Sequence, residues 1–407
     1  MICSVFTIVS RNYFAYARTL GDSLHKSNPS IDFNILIVDR KDPSFEAQYP
    51  QWSITWVEDL GIPDFEQVAF KYDILELNTN VKPTFAKHLL KRYAKVIYLD
   101  PDIFVYNSLK SIIDLLDIHS VVLTPHITEP INDGKLPGEP EFLTSGIYNL
   151  GFGAFNSSAE SLKLLEWWEQ RCLHLAFNEQ SQGFFVDQKW MDFVPSLCAT
   201  AFILRDPQYN TAYWNLHERE VVWIDACATI AGKPLVFFHF SGLPPEGDDR
   251  VSKYQTRYLL AERPDVAPLF KVYRERLKGN GHFEYLKLSY GFGSFANGTP
   301  VPSVARRIAA GTPELSSSSK PFEAGSAIHS LLLRSHLLDT ATATKSYPTA
   351  GITNQDSREE VRLQRITALV LGCFLRLFGP SRYERLMRYI IRTATLRCQS
   401  FLLRRNS

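Results

Sequence analysis

Short, apolar, β-rich runs alternate with stretches of helical spacing over about the first 120 residues, and that alternation limits the chain to few folds. Residues 3–9 and 33–38 read as buried strands, and between them Phe14, Ala17 and Leu24 recur at helical spacing. Residues 81–93 predict a helix with Pro83 in its first turn, where the missing N–H is harmless, and 95–99 predict the next strand. Further strands are expected at 121–123, 148–155 and 235–240, and helices at 159–176, 252–260 and 266–278. Such a chain builds an α/β sheet with parallel central strands, in which ligands gather beyond the carboxyl ends of the strands. The residues directly after each strand are therefore the ones that matter for function.

The strand at 95–99 runs into Asp100-Pro101-Asp102, after which Ile103-Phe104-Val105 resumes the apolar run. Two carboxylates one residue apart at the carboxyl edge of a sheet offer two hard oxygen ligands through which a divalent cation can bridge to a diphosphate. An arbitrary Asp-x-Asp is more often a turn that merely ends a strand. The apolar runs on both sides favour the ligand reading here.

At these residues the chain resembles the nucleotide-sugar-dependent glycosyltransferases of GT-A fold. More closely, it is similar to the retaining enzymes of glycosyltransferase family eight and their bacterial relatives, over roughly residues 1–295. The resemblance implies a Rossmann-like α/β fold, a mixed sheet flanked by helices. It also implies metal-dependent transfer of a sugar from a nucleotide-sugar donor, usually a UDP-sugar, to a glycan or lipid-linked acceptor, with retention of configuration.

Site roles follow from the same resemblance. Asn12 and Tyr13, in Ser10-Arg11-Asn12-Tyr13, would hold or stack on the base, with Ser10 standing where the family often has an acid. Lys82 would reach the donor phosphates or sugar, and Lys71 is a second candidate. Asn149 and Gly151, in Tyr148-Asn149-Leu150-Gly151, would line the sugar pocket. Asp187 and Gln188 would lie beneath the donor sugar, where a carboxylate and an amide can stabilise oxocarbenium character. His239, in His239-Phe240-Ser241-Gly242, would join Asp100 and Asp102 as third metal ligand, with Gly242 among the donor contacts. The lysine that commonly follows this element is replaced by Leu243-Pro244-Pro245-Glu246. Two aspartates and a histidine suit Mn²⁺ or Mg²⁺ better than a thiolate-seeking metal.

Each position also has a plain structural reading: a helix-capping turn for Asn12, a solvated lysine for Lys82, a glycine-weakened strand at Asn149 and Gly151, a helix-surface acid for Asp187, a satisfied core imidazole for His239. Trp214 and Asn215, in the polar and aromatic segment 209–217, suit either the acceptor side or core packing. His126 and Trp167-Trp168 read as core.

Charge divides the chain. Residues 362–407 hold ten arginines and only Glu384, a local net charge of +9, whereas the preceding 361 residues carry a net −8. Tyr383, Leu386, Met387, Ile390 and Ala394 follow helical spacing, with Arg382, Arg385, Arg388 and Arg392 on another face. A basic amphipathic helix of this kind fits an anionic membrane surface or packs against a partner protein. The balanced remainder gives no case for nucleic acid. Six scattered cysteines without a C-x-x-C spacing argue against a zinc ribbon and a disulfide framework. No run reaches the roughly 20 apolar residues of a spanning helix, and the N-terminal run reads as a strand rather than a secretory leader. The location expected is therefore cytoplasmic, peripheral on the inner face of a membrane.

Three segments result: a catalytic domain at 1–297, a flexible linker at 298–360 with the serine run 316–319 and one short helix around 328–338, and a basic helical tail at 361–407. Two rival functions are a sugar nucleotidyltransferase and a catalytically silent sugar-binding or scaffold protein. The first normally carries a glycine-rich basic loop after its first strand, which Ser10-Arg11-Asn12 is not. The second predicts no metal-dependent nucleotide release.

Overall fold

The computed structural model describes residues 3–338 and 358–403. The chain divides into two compact units, Met1–Val68 with Ile74–Gly293, and Ala69–Asp73 with Ser294–Ser407.

The strands of the first unit are β1 (Cys3–Val9), β2 (Asp32–Ile37), β3 (Ser53–Trp56), β4 (Lys95–Leu99), β5 (Ile103–Val105), β6 (Val121–Pro125), β7 (Tyr148–Asn156), β8 (Asn178–Glu179), β9 (Phe184–Phe185), β10 (Ala201–Ile203), β11 (Val222–Ile224), β12 (Cys227–Ile230), β13 (Lys233–Pro234) and β14 (Phe237–His239). Seven of them form one sheet in the order β10-β6-β7-β4-β1-β2-β3. It is a mixed sheet, because β7 runs antiparallel to both β4 and β6 while the other pairings are parallel. Every residue of β1 and β4 is buried. A strand covered on both faces needs apolar side chains on both, which is why these segments read as continuous apolar runs rather than alternating ones.

Helices close the two faces. The helix Phe14–Ser27 buries Phe14, Ala17, Leu20 and Leu24, and Lys82–Leu90 buries Phe85, Ala86 and Leu89 with Pro83 in its first turn. One core gathers Leu20, Leu24, Ile97, Leu99, Ile103, Phe152 and Phe237. Another gathers Phe14, Ile35, Ile37, Trp56, Phe238, Phe240 and Tyr273, with the rings of Phe240 and Tyr273 stacked 3.9 Å apart.

A small ribbon outside the main sheet positions the site. β5 follows Asp100-Pro101-Asp102 directly and pairs antiparallel with β14, which sets His239 opposite Ile103. The Phe240 amide then donates to the Asp102 carbonyl at 2.9 Å.

Residues 252–260, expected as a helix, form an irregular loop instead. Its apolar spacing is matched by polar side chains that organise a turn: Gln255 Oε1 accepts from the amides of Arg257 and Tyr258, and Arg257 is paired with Asp133.

In the second unit the expectation of a flexible linker at 298–360 meets a folded segment. Helices occupy Ser303–Ala310, Pro313–Ser316 and Ala327–Arg334, and Ala305, Ile308, Leu315, Ile328 and Leu332 are buried. The serine run hides this because a cationic side chain contributes much of the organisation. Buried Arg306 donates to the carbonyls of Ala69, Phe70 and Tyr72 at 3.0–3.1 Å. Residues 339–357 of the expected linker lie outside the described residues. The tail is helical over Arg358–Ala394 with a break at Gly379 (φ 75°, ψ 169°), ahead of Pro380. Beyond the break Arg382, Arg385 and Arg388 are exposed while Tyr383, Leu386 and Met387 are half-buried. No described helix is long and apolar enough to cross a membrane.

Candidate functional site

The residues after the central strand β4 converge with the end of the ribbon strand β14. Asp100 and Asp102 follow β4, His239 ends β14, and one ligand atom from each lies within 4.8 Å of the others. His239 Nε2 is 2.9 Å from Asp102 Oδ1 and 3.6 Å from Asp100 Oδ2. The imidazole is buried, whereas both acids keep some exposure, so the trio faces outward through its carboxylates. Burial works against a charged imidazole here, and Asp102 and Asp100 outweigh it, so the His239 pKa is raised. The protein packed around Asp100 raises its carboxyl pKa, against the opposing influence of Lys82 and His239. Two like charges held together and one imidazole are a set that a divalent cation relieves. Oxygen-rich with one nitrogen, the set fits Mn²⁺ or Mg²⁺.

The carboxylates are backed by a second layer. The Tyr98 hydroxyl donates to Asp100 Oδ1 at 2.5 Å, and the Lys82 ammonium lies 4.1 Å from the centre of the Tyr98 ring. Lys82 pairs with Asp187 Oδ2 at 2.6 Å and donates to the Leu150 carbonyl at 2.8 Å. Both side chains are about 2% exposed. The expectation of a lysine reaching out to phosphate is therefore not met in this arrangement, because burial has turned Lys82 inward to neutralise an acid. The same holds for its partner: burial raises the Asp187 pKa and Lys82 opposes the rise. Gln188 is likewise engaged at both ends, accepting from the Leu150 amide at 3.0 Å and donating to the Ser145 carbonyl at 2.9 Å.

Asn149 is buried, and its amide is occupied by protein. Its Oδ1 accepts from the Gly151 amide at 3.1 Å and from Asn210 Nδ2 at 3.0 Å, and its Nδ2 lies 3.2 Å from His126 Nε2. Gly151 owes its identity to His239: a Cβ there would stand 2.3 Å from the imidazole Cε1 and 2.7 Å from Nδ1. Gly242 sits at φ 67°, in the left-handed region, and a Cβ would meet Tyr254 at 2.4 Å. Its carbonyl accepts from the Lys253 amide at 2.9 Å, so the glycine lets the loop 252–254 close over the strand end.

Asn12 is half-buried and Tyr13 is exposed. Tyr13 stacks on Tyr16 with centroids 4.6 Å apart and presents its other surface outward. Packing around its hydroxyl and the charge of Asp102 push the phenol pKa up to about 12. The Ser10 hydroxyl donates to Asn12 Oδ1 at 2.5 Å, so the oxygen of that amide is engaged and its nitrogen takes no part in the bond. Lys71 belongs to the second unit, where burial and Arg397 lower its pKa to about 8.

Sequence reasoning did not assign Asn210, Thr124 or Tyr98 to the site. Asn210 stands in the polar and aromatic segment 209–217, whose residues turn inward: Trp214 packs edge-on to both His239 and His126, at 5.1 and 5.4 Å. Asn215, fully buried, accepts from the Ala212 amide and donates to the carbonyls of His126 and Asn210. The signal was a run of amides inside an aromatic core, where each must find a partner.

No family model matches the chain. An uncharacterized Bacillus subtilis protein, YfnF, is 30% identical over 202 residues, which cover 48% of this chain and 65% of that protein. A second from the same organism, YfnD, is 24% identical over 247 residues, 58% of this chain and 76% of that protein. Among solved structures, the galactosyltransferase LgtC, in complex with donor and acceptor sugar analogues, is 15% identical with a TM-score of 0.41, over 68% of this chain and 96% of that one. That is a similarity to a glycosyltransferase, at a level from which no residue's role is drawn.

Proposed function

We propose that the protein is a metal-dependent glycosyltransferase that moves a sugar from a nucleoside diphosphate donor, of the UDP-sugar class, to a glycan or lipid-linked acceptor. The observation that carries this reading is the convergence of Asp100, Asp102 and His239 at a carboxyl strand edge. A bound divalent cation would supply neutralisation of the diphosphate as the sugar–oxygen bond breaks. Asp100, Asp102 and His239 would hold that ion. Tyr13 offers a ring face for the base, and Asn12 an amide donor beside it. The pairing of β14 with β5 sets the imidazole beside both acids, an arrangement suited to stabilising charge as it develops.

Asp187 and Gln188 belong to the proposal as a buried support. Their polar groups tie Lys82 and β7 together behind the carboxylates, and a direct role beneath the sugar would require the Lys82–Asp187 pair to open. Retention of configuration follows from the family resemblance alone. The scaffold alternative has the disadvantage that three costly groups are gathered for no chemistry. The tail is proposed as a contact for an anionic membrane surface, through exposed Arg382, Arg385 and Arg388 and the apolar side chains beside them.

The test is a screen of nucleotide sugars with Mn²⁺, following release of free nucleoside diphosphate. Asp102→Asn should abolish release while the circular dichroism spectrum stays unchanged. Undiminished turnover in that variant overturns the reading.

A further inference from the structure

A buried chain of side-chain amides and imidazoles leads from a backbone carbonyl to His239, and its polarity is fixed at the far end. The Ile147 carbonyl can only accept, so the His126 nitrogen facing it at 3.1 Å, Nδ1, carries the proton. His126 is buried, and burial lowers its pKa to about 4, so the ring is neutral and Nε2 holds a lone pair. Asn149 must therefore present Nδ2 to it, across 3.2 Å, and Oδ1 to the other side. A second backbone anchor demands the same orientation, since the Gly151 amide donates to that Oδ1. Asn210 must then donate through Nδ2, which it does to Asn149 Oδ1 at 3.0 Å and to Thr124 Oγ1 at 2.9 Å. Only its Oδ1 remains for His239 Nδ1, 3.2 Å away. Nδ1 is accordingly protonated whatever occupies the site, and Nε2, turned toward Asp100 and Asp102, is the nitrogen that would give up its proton to a cation.

We propose that Asn210 is a positioning residue that holds His239 in its Nδ1–H form and so presents the Nε2 lone pair to a divalent cation, with Asn149 and His126 as the chain that orients Asn210. The inference rests on the reading of Asp100, Asp102 and His239 as a metal centre. It reassigns Asn149 from sugar contact to the layer behind the ligands. It also accounts for the residue type at 210, because the backbone there has φ 52°, a left-handed conformation that asparagine tolerates better than most. An outer partner of a ligating histidine fixes ring orientation and commonly matters about 10- to 100-fold in metal affinity.

Two variants separate positioning from packing. Asn210→Gly keeps the backbone conformation and removes the acceptor; Asn210→Asp keeps an acceptor facing Nδ1 and removes the donor. Binding of Mn²⁺ alone is read from the electron paramagnetic resonance signal of the free ion. We expect Asn210→Gly to bind about 10- to 100-fold more weakly and Asn210→Asp to stay close to the unaltered protein. Nitrogen-15 histidine spectra of the Mg²⁺-loaded chain should show His239 protonated at Nδ1 in the unaltered protein and in Asn210→Asp, and a mixture in Asn210→Gly. Equal weakening in both variants, or unchanged binding in Asn210→Gly, overturns the proposal. A His239 protonated at Nε2 in the unaltered, Mg²⁺-loaded chain overturns it without any variant, even if neither variant folds. Asp102→Asn distinguishes the levels: if it binds Mn²⁺ as well as the unaltered chain, the metal centre itself fails and the positioning role fails with it.

Discussion

At the scale of single residues, the site is a set of groups that are expensive to bury alone and are therefore held in pairs. Lys82 and Asp187 make this testable, since removing one partner of a buried ion pair leaves an uncompensated charge, at a cost of about 3–5 kcal/mol. Lys82→Met and Asp187→Asn should each destabilise by about that amount, while the double variant recovers much of the loss. Chemical denaturation of all four proteins measures the cycle, and additive losses would show that the pair is not coupled. Gly151→Ala probes the other side of the site, where a methyl group placed 2.3 Å from the imidazole must push His239 off its position. Overpacking of this kind costs about 1–3 kcal/mol, and it should weaken Mn²⁺ binding in the electron paramagnetic resonance assay. Unchanged binding would mean that the imidazole is not held where it matters. Asp100, Asp102 and His239 were legible as a cluster because the two acids lie between the ends of β4 and β5 and the histidine ends β14, positions that sequence periodicity exposes. Asn210 was not, because what it touches comes from distant parts of the chain, and no local spacing encodes it. Tyr98 was not, although Asp100 is only two residues away, because it reads as one more apolar residue of a buried strand. Lys82 was legible as a residue near the site and misread in direction, since sequence does not report which way a long side chain turns.

Secondary structure elements are tied together by side chains at their ends. The helix Ala159–Leu175 carries Glu160 in its first turn, where it accepts from Ser120 Oγ at 2.8 Å, from the Ala199 amide at 2.8 Å and from the Thr200 hydroxyl. These donors, the Thr200 hydroxyl foremost and Ser120 next, hold the carboxyl pKa down to about 2 from an ordinary 4.5. The folded state thus binds this proton less readily than the unfolded chain does. Its stabilisation is complete above about pH 5 and is lost as the pH falls toward 2. Glu160→Gln should lower the urea midpoint near neutral pH, and the gap to the unaltered protein should narrow as the pH is taken below 4.5. A gap that does not change with pH would assign the effect to shape rather than charge. The central strands and their covering helices were readable from apolar periodicity because burial on both faces leaves little choice of residue. Residues 252–260 and 303–316 were not: the first has helical spacing but is organised by Gln255 and Arg257, and the second hides its small apolar contacts beside the serine run, whereas the short helix expected around 328–338 is found at Ala327–Arg334.

At the scale of the whole molecule, the proposed contact of the basic tail with an anionic surface predicts salt dependence. The net charge of residues 362–407 is +9 against −8 for the rest. In the described tail the apolar Leu369, Leu377 and Ile391 are between 65% and 77% exposed, which is unusual for side chains of this size. An anionic bilayer satisfies both features at once, with each arginine contributing about 1 kcal/mol near the headgroups. Replacing Arg382, Arg385 and Arg388 with glutamine in the full chain should therefore reduce flotation with phosphatidylserine vesicles by about a hundredfold in partition coefficient. Uncharged vesicles should bind both proteins weakly and alike. Raising the salt should release the unaltered chain from anionic vesicles, because the screening length falls below the spacing of charge and headgroup. Mn²⁺ binding should not change in the arginine variant, since its substitutions lie in the second unit and the metal ligands in the first. If the variant floats as well as the unaltered chain, or if high salt leaves flotation intact, the arginines are not what meets the membrane, and the exposed apolar side chains call for a protein partner instead.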